Sequence, residues 1–134
     1  MVYEQDGLIR IVNKSIESIL IAKADAQPGK FHEAGDKDKE IPPRDLNDTE
    51  IKSNGELTVY FCGREYEPTD TAGSLDLVDL EDERIATLDW KVPYWSSTNT
   101  FRVQNIRTGY DVSASGYRTS GTGLGTALVT VSRR

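Results

Sequence analysis

The chain has 134 residues, 37% hydrophobic, 28% charged and 8% aromatic, with a formal charge of -6 at pH 7. That length fits one domain, residues 1–134, with a single core, and the composition excludes a disordered tail. The excess of 22 Asp plus Glu over 16 Lys plus Arg repels nucleic acid on net and leaves out the polybasic patch that would draw the chain to an anionic lipid surface.

The N-terminal segment MVYEQDGLIRIVNKS carries acidic residues at positions 4 and 6 and no apolar run before a small-residue cleavage site. It reads as no signal peptide, and no stretch approaches the ~18 apolar residues of a membrane span. The expectation is a protein soluble when made. Residues 8–12 (LIRIV) form a first strand candidate. Residues 14–26 are ambiguous: Ile16, Ile19 and Leu20 satisfy a helical stripe, Ile19 and Ile21 a strand. The β-branched isoleucines favour strand. Asp36, Asp38 and Glu40 alternate with Lys37 and Lys39, which suggests a calcium loop, yet Ile41 and Asn47 stand where that loop needs Gly and a bidentate Glu. A solvated edge strand fits better.

After an Asn54-Gly55 turn, Leu57, Val59 and Phe61 alternate with polar neighbours up to Gly63. Leu75 and Leu77 flank Asp76 in another short strand. Residues 79–88 offer the one helical turn. Phe101 with Val103, residues 110–113, and Ala127, Val129 and Val131 complete the period-two set, and the Gly121 to Gly125 run reads as a hairpin before the last strand. Turn residues recur every 8–15 positions, which predicts an all-β sandwich or barrel with little or no helix.

Little of this supports catalysis. The lone Cys62 excludes an internal disulfide or a cysteine-rich zinc framework, and its alternating strand position suits packing. His32 is the only histidine, and no G-x-S-x-G elbow supplies a nucleophile. No Gly-Lys-Ser/Thr follows the glycine run, so it is no phosphate cradle. The sequence therefore predicts no enzyme, no cofactor and no metal site.

The informative stretch is Trp90-Lys91-Val92-Pro93-Tyr94-Trp95-Ser96-Ser97-Thr98-Asn99-Thr100-Phe101. Pro93 demotes its middle to a loop or edge. Trp90 and Phe101 read as core. Tyr94 and Trp95 are consecutive, so in extended chain they point opposite ways and cannot both face a core. Amphipathic rings followed by the hydroxyls and amide of Ser97, Thr98 and Asn99 suit a membrane interface or a carbohydrate face.

Several separate motifs carry a resemblance. Gly29-Lys30-Phe31-His32, Gly35-Asp36-Lys37-Asp38, Cys62-Gly63-Arg64, Gly73-Ser74-Leu75-Asp76-Leu77-Val78-Asp79, Trp90 with Pro93 through Asn99-Thr100, and Leu124-Gly125-Thr126 stand in the order and nearly the spacing of the aegerolysin family. The sequence resembles that family over almost its whole length. The resemblance implies an actinoporin-like β-sandwich that recognises membrane sphingophospholipids, such as sphingomyelin with cholesterol or ceramide phosphoethanolamine. It further implies a larger perforin-like (MACPF) partner that forms the pore, giving cytolytic, hemolytic or insecticidal activity, and export without a signal peptide.

Carried over by position, the family's headgroup tryptophan after Pro falls on Tyr94, with Trp95 as an added ring. Its phosphate-meeting basic residue falls on Ser97, another tryptophan on Pro28, and a carboxylate tied to lipid discrimination on Thr69. An aromatic position falls on Asp89, a carboxylate suited to a primary ammonium, which tilts the expectation from choline towards ethanolamine. The expected lipid-binding set is Tyr94, Trp95, Ser97, Thr98, Asn99 and Asp89. The alternative is a lectin-like or small-amphiphile binder using the same rings and forming no pore.

Overall fold

The computed structural model describes residues 5–64, 69–95 and 98–134. Its elements are β1 (Gly7–Asn13), β2 (Ile19–Asp25), β3 (Lys30–Glu33), β4 (Asp36–Ile41), α1 (Pro43–Leu46), β5 (Glu50–Ile51), β6 (Glu56–Cys62), β7 (Thr71–Val78), β8 (Arg84–Val92), β9 (Thr100–Gln104), β10 (Tyr110–Tyr117) and β11 (Gly125–Arg133). Sheet A runs β10-β11-β1-β6-β3-β4 and sheet B runs β5-β2-β7-β8-β9. The two sheets form the β-sandwich expected from the alternating pattern.

Period two places the core. From sheet A, Ile9 and Ile11 of β1, Val59 and Phe61 of β6, and Val129 and Val131 of β11 are buried; from sheet B, Leu75 and Leu77 of β7 and Leu88 and Trp90 of β8 meet them. The register sets these residues side by side: Ile9 pairs with Val59 and Ala127, Leu75 with Leu88, and Trp90 with Gly73 and Phe101. Trp90 spans the two layers. Its ring stacks on Phe61 at 5.2 Å and on Phe101 at 6.4 Å, and meets Phe31 edge-on at 6.1 Å.

Two glycines make room for that stack. A Cβ on Gly73 would lie 2.5 Å from the Asp25 carbonyl oxygen and 2.5 Å from the Trp90 ring, and one on Gly7 would lie 2.6 Å from Phe61. The backbone contact at Gly73 cannot be relieved by a rotamer change.

The ambiguous residues 14–26 resolve as a turn and then strand β2. Asn13 is fully buried; its amide donates to the carbonyls of Glu17 and Ile51, and its Oδ1 accepts from the Ser15 hydroxyl at 2.6 Å. That turn delays the strand to Ile19. It also leaves Ile16, counted in the helical stripe, in solvent. The acidic-basic alternation of residues 36–40 forms edge strand β4, as expected.

The helical turn needs correction. Residues 79–83 are a tight turn: Asp79 Oδ1 accepts from the N–H groups of Glu81 and Glu83, and Asp82 has φ +67°. A positive φ there ends any right-handed helix. The helix among the described residues is α1, opened by Pro43, whose missing N–H is harmless in a first turn.

The end of the sandwich that bears this turn is laced by ions and one ring. Arg107 pairs with Asp79 at 3.0 Å and with Glu83 at 3.5 Å, while Arg133 pairs with Glu17 at 2.8 Å. Both guanidinium groups lie over Tyr110, at 5.0 and 5.2 Å from its centroid. Burial disfavours the Asp79 carboxylate most strongly. The N–H groups of Glu83 and Glu81 together with Arg107 outweigh it and hold the pKa below its ordinary value.

Two expectations follow. Gly73→Ala should lower stability by about 1–3 kcal/mol, read as a lower urea midpoint. A depressed native pKa stabilises above the unfolded value near ~3.9 and that contribution is lost as pH falls through the native value. Asp79→Asn should therefore flatten the stability loss below about pH 4 and leave the slope above pH 5 unchanged; an unaltered acid limb in the variant would remove Asp79 as a contributor.

Candidate functional site

The Trp90 end of β8 leads directly into the aromatic loop. Val92 is the last strand residue, Pro93 stops the ladder, and Tyr94 and Trp95 follow in a bend. Both rings face solvent, Tyr94 at 40% and Trp95 at 84% exposure. They contact each other edge to face, centroids 4.6 Å apart and planes 80° apart, the geometry the ring quadrupoles prefer. Trp90 and Phe101 are core, as expected.

The loop is anchored. Tyr94 N–H donates to Asp70 Oδ1 at 2.9 Å, and Lys91 Nζ lies 3.4 Å from Asp70 Oδ2. The β7–β8 register creates this meeting, since Thr71 pairs with Val92 and Ala72 with Lys91. The Tyr94 N–H, opposed by burial and reinforced by Lys91, holds the Asp70 carboxyl below its usual range. A carboxylate and an ammonium thus sit directly beside the exposed rings, with the Lys91 side chain about half exposed.

The other expected residues divide. Thr98 is exposed and forms an isolated bridge to Ser120. Ser97 lies outside the described residues. Asn99 corrects the expectation of an outward amide. It is 2% exposed, and its Nδ2 donates to the carbonyls of Gly123 at 3.0 Å, Arg118 at 3.2 Å and Gly121 at 3.3 Å. With its own N–H on the Thr119 carbonyl, it clamps the aromatic loop to the β10–β11 connection and offers no donor to a ligand.

Asp89 also takes another role. It lies on the outer face of sheet B, where its carboxylate accepts from Arg102 Nε at 2.9 Å and from the Gln104 amide. Cationic and amide partners already occupy the oxygens that a ligand ammonium would need.

Asp70 and Lys91 are the residues the sequence reading missed. Lys91 stood inside the aromatic run, but nothing local tied it to Asp70, 21 positions away in the sequence. Their pairing is a consequence of strand register. Cys62 is fully buried opposite Lys30, and burial pushes its thiol pKa up, so it packs as a neutral thiol.

Asn99→Ala should strand three loop carbonyls, costing about 1–3 kcal/mol in thermal stability. A variant with unchanged melting would deny Asn99 the clamp.

Residues 5–134 match the family model described as Aegerolysin. The chain is 32% identical over 131 residues to Ostreolysin A6 of Pleurotus ostreatus, covering 96% of this chain and 95% of that protein. It is likewise 32% identical over 133 residues to Asp-hemolysin of Aspergillus fumigatus, covering 98% and 95%. Among solved structures, the RahU protein in complex with a TRIS molecule superposes with a TM-score of 0.90 at 28% identity, over 97% of this chain and 96% of that one. IP-1A from Alcaligenes faecalis superposes with 0.87 at 31% identity, over 99% and 94%.

Proposed function

The chain belongs to the aegerolysin family, and from that premise we propose that it is a lipid-binding, toxin-like protein whose loop end reads a membrane sphingophospholipid. The observation that carries the reading is the solvent-facing Tyr94–Trp95 pair, fixed beside the Asp70–Lys91 charge pair. It is a binding protein in this reading and performs no catalysis.

The chemistry suits a zwitterionic headgroup. An indole and a phenol place apolar area at the interface while their polar tips stay wet. Lys91 supplies a cation for a phosphate oxygen; Asp70, more exposed than Asp89 and with Lys91 held only at 3.4 Å from its Oδ2, keeps lone pairs that can accept from a primary ammonium. An ethanolamine headgroup has N–H donors for Asp70 and a choline headgroup has none, so ceramide phosphoethanolamine is favoured over sphingomyelin. The acidic chain gains nothing from an anionic surface, and binding of this kind depends weakly on salt.

Pore formation belongs to a second protein in this reading. No helix among the described residues is long and apolar enough to cross a membrane, and the core residues of both sheets are committed to each other. The chain would mark the lipid for a perforin-like partner, a reading supported by the hemolysin name of one relative.

Sedimentation with vesicles of ceramide phosphoethanolamine/cholesterol, sphingomyelin/cholesterol and phosphatidylcholine tests this. The first should bind most tightly, and the Tyr94→Ala, Trp95→Ala pair should lose about thirtyfold or more, the effect of removing a buried aromatic anchor. Lys91→Gln should weaken binding without changing the melting temperature. Wild-type binding by the double variant would refute the site, and dye leakage caused by the chain alone would refute the division of labour with a partner.

A further inference from the structure

The two sheets end in four edge strands, β4, β5, β9 and β10, and three of them resist pairing with another chain. β5 is two residues long. In β4 the carboxylates of Asp36, Asp38 and Glu40 alternate with Lys37 and Lys39. A second copy laid antiparallel about a two-fold axis normal to the sheet sets residues of equal parity opposite one another. Every such register of β4 brings like charges together. β9 carries Arg102 at its centre, and a centred copy opposes that residue to itself. β10 is the exception. It is eight residues long, holds no Lys, Arg or Pro, and its one charge, Asp111, is paired with Arg134 at 2.9 Å.

The phase of the β10–β11 ladder decides which backbone groups are left over. Arg134 N–H donates to the Gly109 carbonyl, and these two residues continue the register that pairs Asp111 with Ser132 and Ser113 with Thr130. Bonded and open positions alternate along an antiparallel ladder. Asp111, Ser113 and Ser115 therefore turn N–H and C=O to β11, whereas Val112 and Ala114 turn theirs to the free edge. The Val131 carbonyl agrees: it lies opposite Val112 and accepts from Lys14 N–H on its other side. Among the described residues, no backbone bond outside the ladder reaches Val112 or Ala114. The strand is regular up to Ser115, after which a register shift and Gly116 at φ +84° bend it. The ring contact with sheet B, Phe101 on Tyr117 at 5.7 Å, lies beyond that bend. Asp111, Ser113 and Ser115 are exposed.

We propose that β10 is a pairing edge for a second copy of this chain, joined antiparallel with Ser113 on the two-fold axis. The regular segment 111–115 sets that register, because Ser113 is its midpoint. Val112 then exchanges two main-chain hydrogen bonds with Ala114 of the second copy, and the symmetric pair exchanges two more. Asp111 stands opposite Ser115, whose hydroxyl can donate, so no charge meets its like. The axis turns the second copy end over end. The pair thus presents a Tyr94–Trp95 loop at each end and is bivalent for whatever that loop binds.

The pairing does not rest on the lipid reading, and its test needs no lipid. Four main-chain bonds without an apolar core make a weak association, with a dissociation constant on the order of 10–1000 μM. Sedimentation equilibrium from about 10 μM to about 1 mM spans that range, with amide hydrogen exchange read at both ends of it. Wild type should dimerise. Its Val112 and Ala114 amides should gain protection with concentration, while those of Asp111, Ser113 and Ser115 stay protected throughout. Ser113→Lys opposes two ammonium groups on the axis, and should weaken association at least about tenfold and abolish that gain. Position 113 faces itself across an open pair, so oxidised Ser113→Cys should cross-link into a dimer and Thr122→Cys should not. A monomer at the highest concentration, undiminished association of Ser113→Lys, no cross-link in Ser113→Cys, or protection gained only away from Val112 and Ala114 would each overturn the proposal.

Discussion

The stack of Trp90 across both sheets is the contact on which the rest depends. It requires a large flat ring on β8, phenylalanines on β3, β6 and β9, and bare backbone at Gly73 and Gly7. Those strands are the ones that deliver the loop end of the molecule. β8 passes from Trp90 into the Tyr94–Trp95 bend within four residues, and β7 begins one residue after Asp70. A shift of the stack would therefore move the exposed rings and their carboxylate anchor together. The core fixes the spacing of the loops at that end.

The two ends of the sandwich solve different problems. Around Tyr110, paired guanidinium groups and carboxylates lock turns against one another, and the ring between them is buried. At the other end the anchors are hydrogen bonds to the backbone: Asp70 on Tyr94 N–H, Asn99 on three carbonyls, and the Gln5 amide on the Val92 carbonyl at 2.7 Å. Those bonds hold the main chain and leave the rings unpacked. The distinction is physical: a clamp made through side-chain rings would bury the very rings that these bonds leave exposed.

What could be read from sequence follows the range of the interactions. Strand alternation is a local signal, and it located β1, β6, β9, β10 and β11 and the edge character of β4. Pro93 and the parity of adjacent residues required at least one of Tyr94 and Trp95 to be exposed; both are, because the chain bends there. Long-range pairing was illegible. Asp70 meets Lys91 only through the β7–β8 register, and Asp89 is diverted by Arg102 on a neighbouring strand. Asn99 looked like a ligand donor because its amide is polar; its inward turn depends on carbonyls 19 to 24 positions away. Helix α1 was masked because Pro42-Pro43 signals a break as readily as a first turn, and Asp79 looked like a helix start when its side chain was closing a turn.

The exposed Trp95 is the feature that most needs its surroundings to be rigid. Burying an aromatic side chain of this class removes about 150–250 Å² from water, worth on the order of 5 kcal/mol gross. In the free protein most of that is unrealised, because the ring is 84% exposed. Binding recovers it only after subtracting the entropy of ordering whatever is still mobile. Edge-to-face contact with Tyr94, whose own N–H is fixed by Asp70, orders the pair before any ligand arrives. The same anchor positions a carboxylate and, through it, Lys91, so the apolar and charged parts of the loop end are set by one residue. Asp70 thus ties the placement of the exposed rings to that of the Lys91 ammonium.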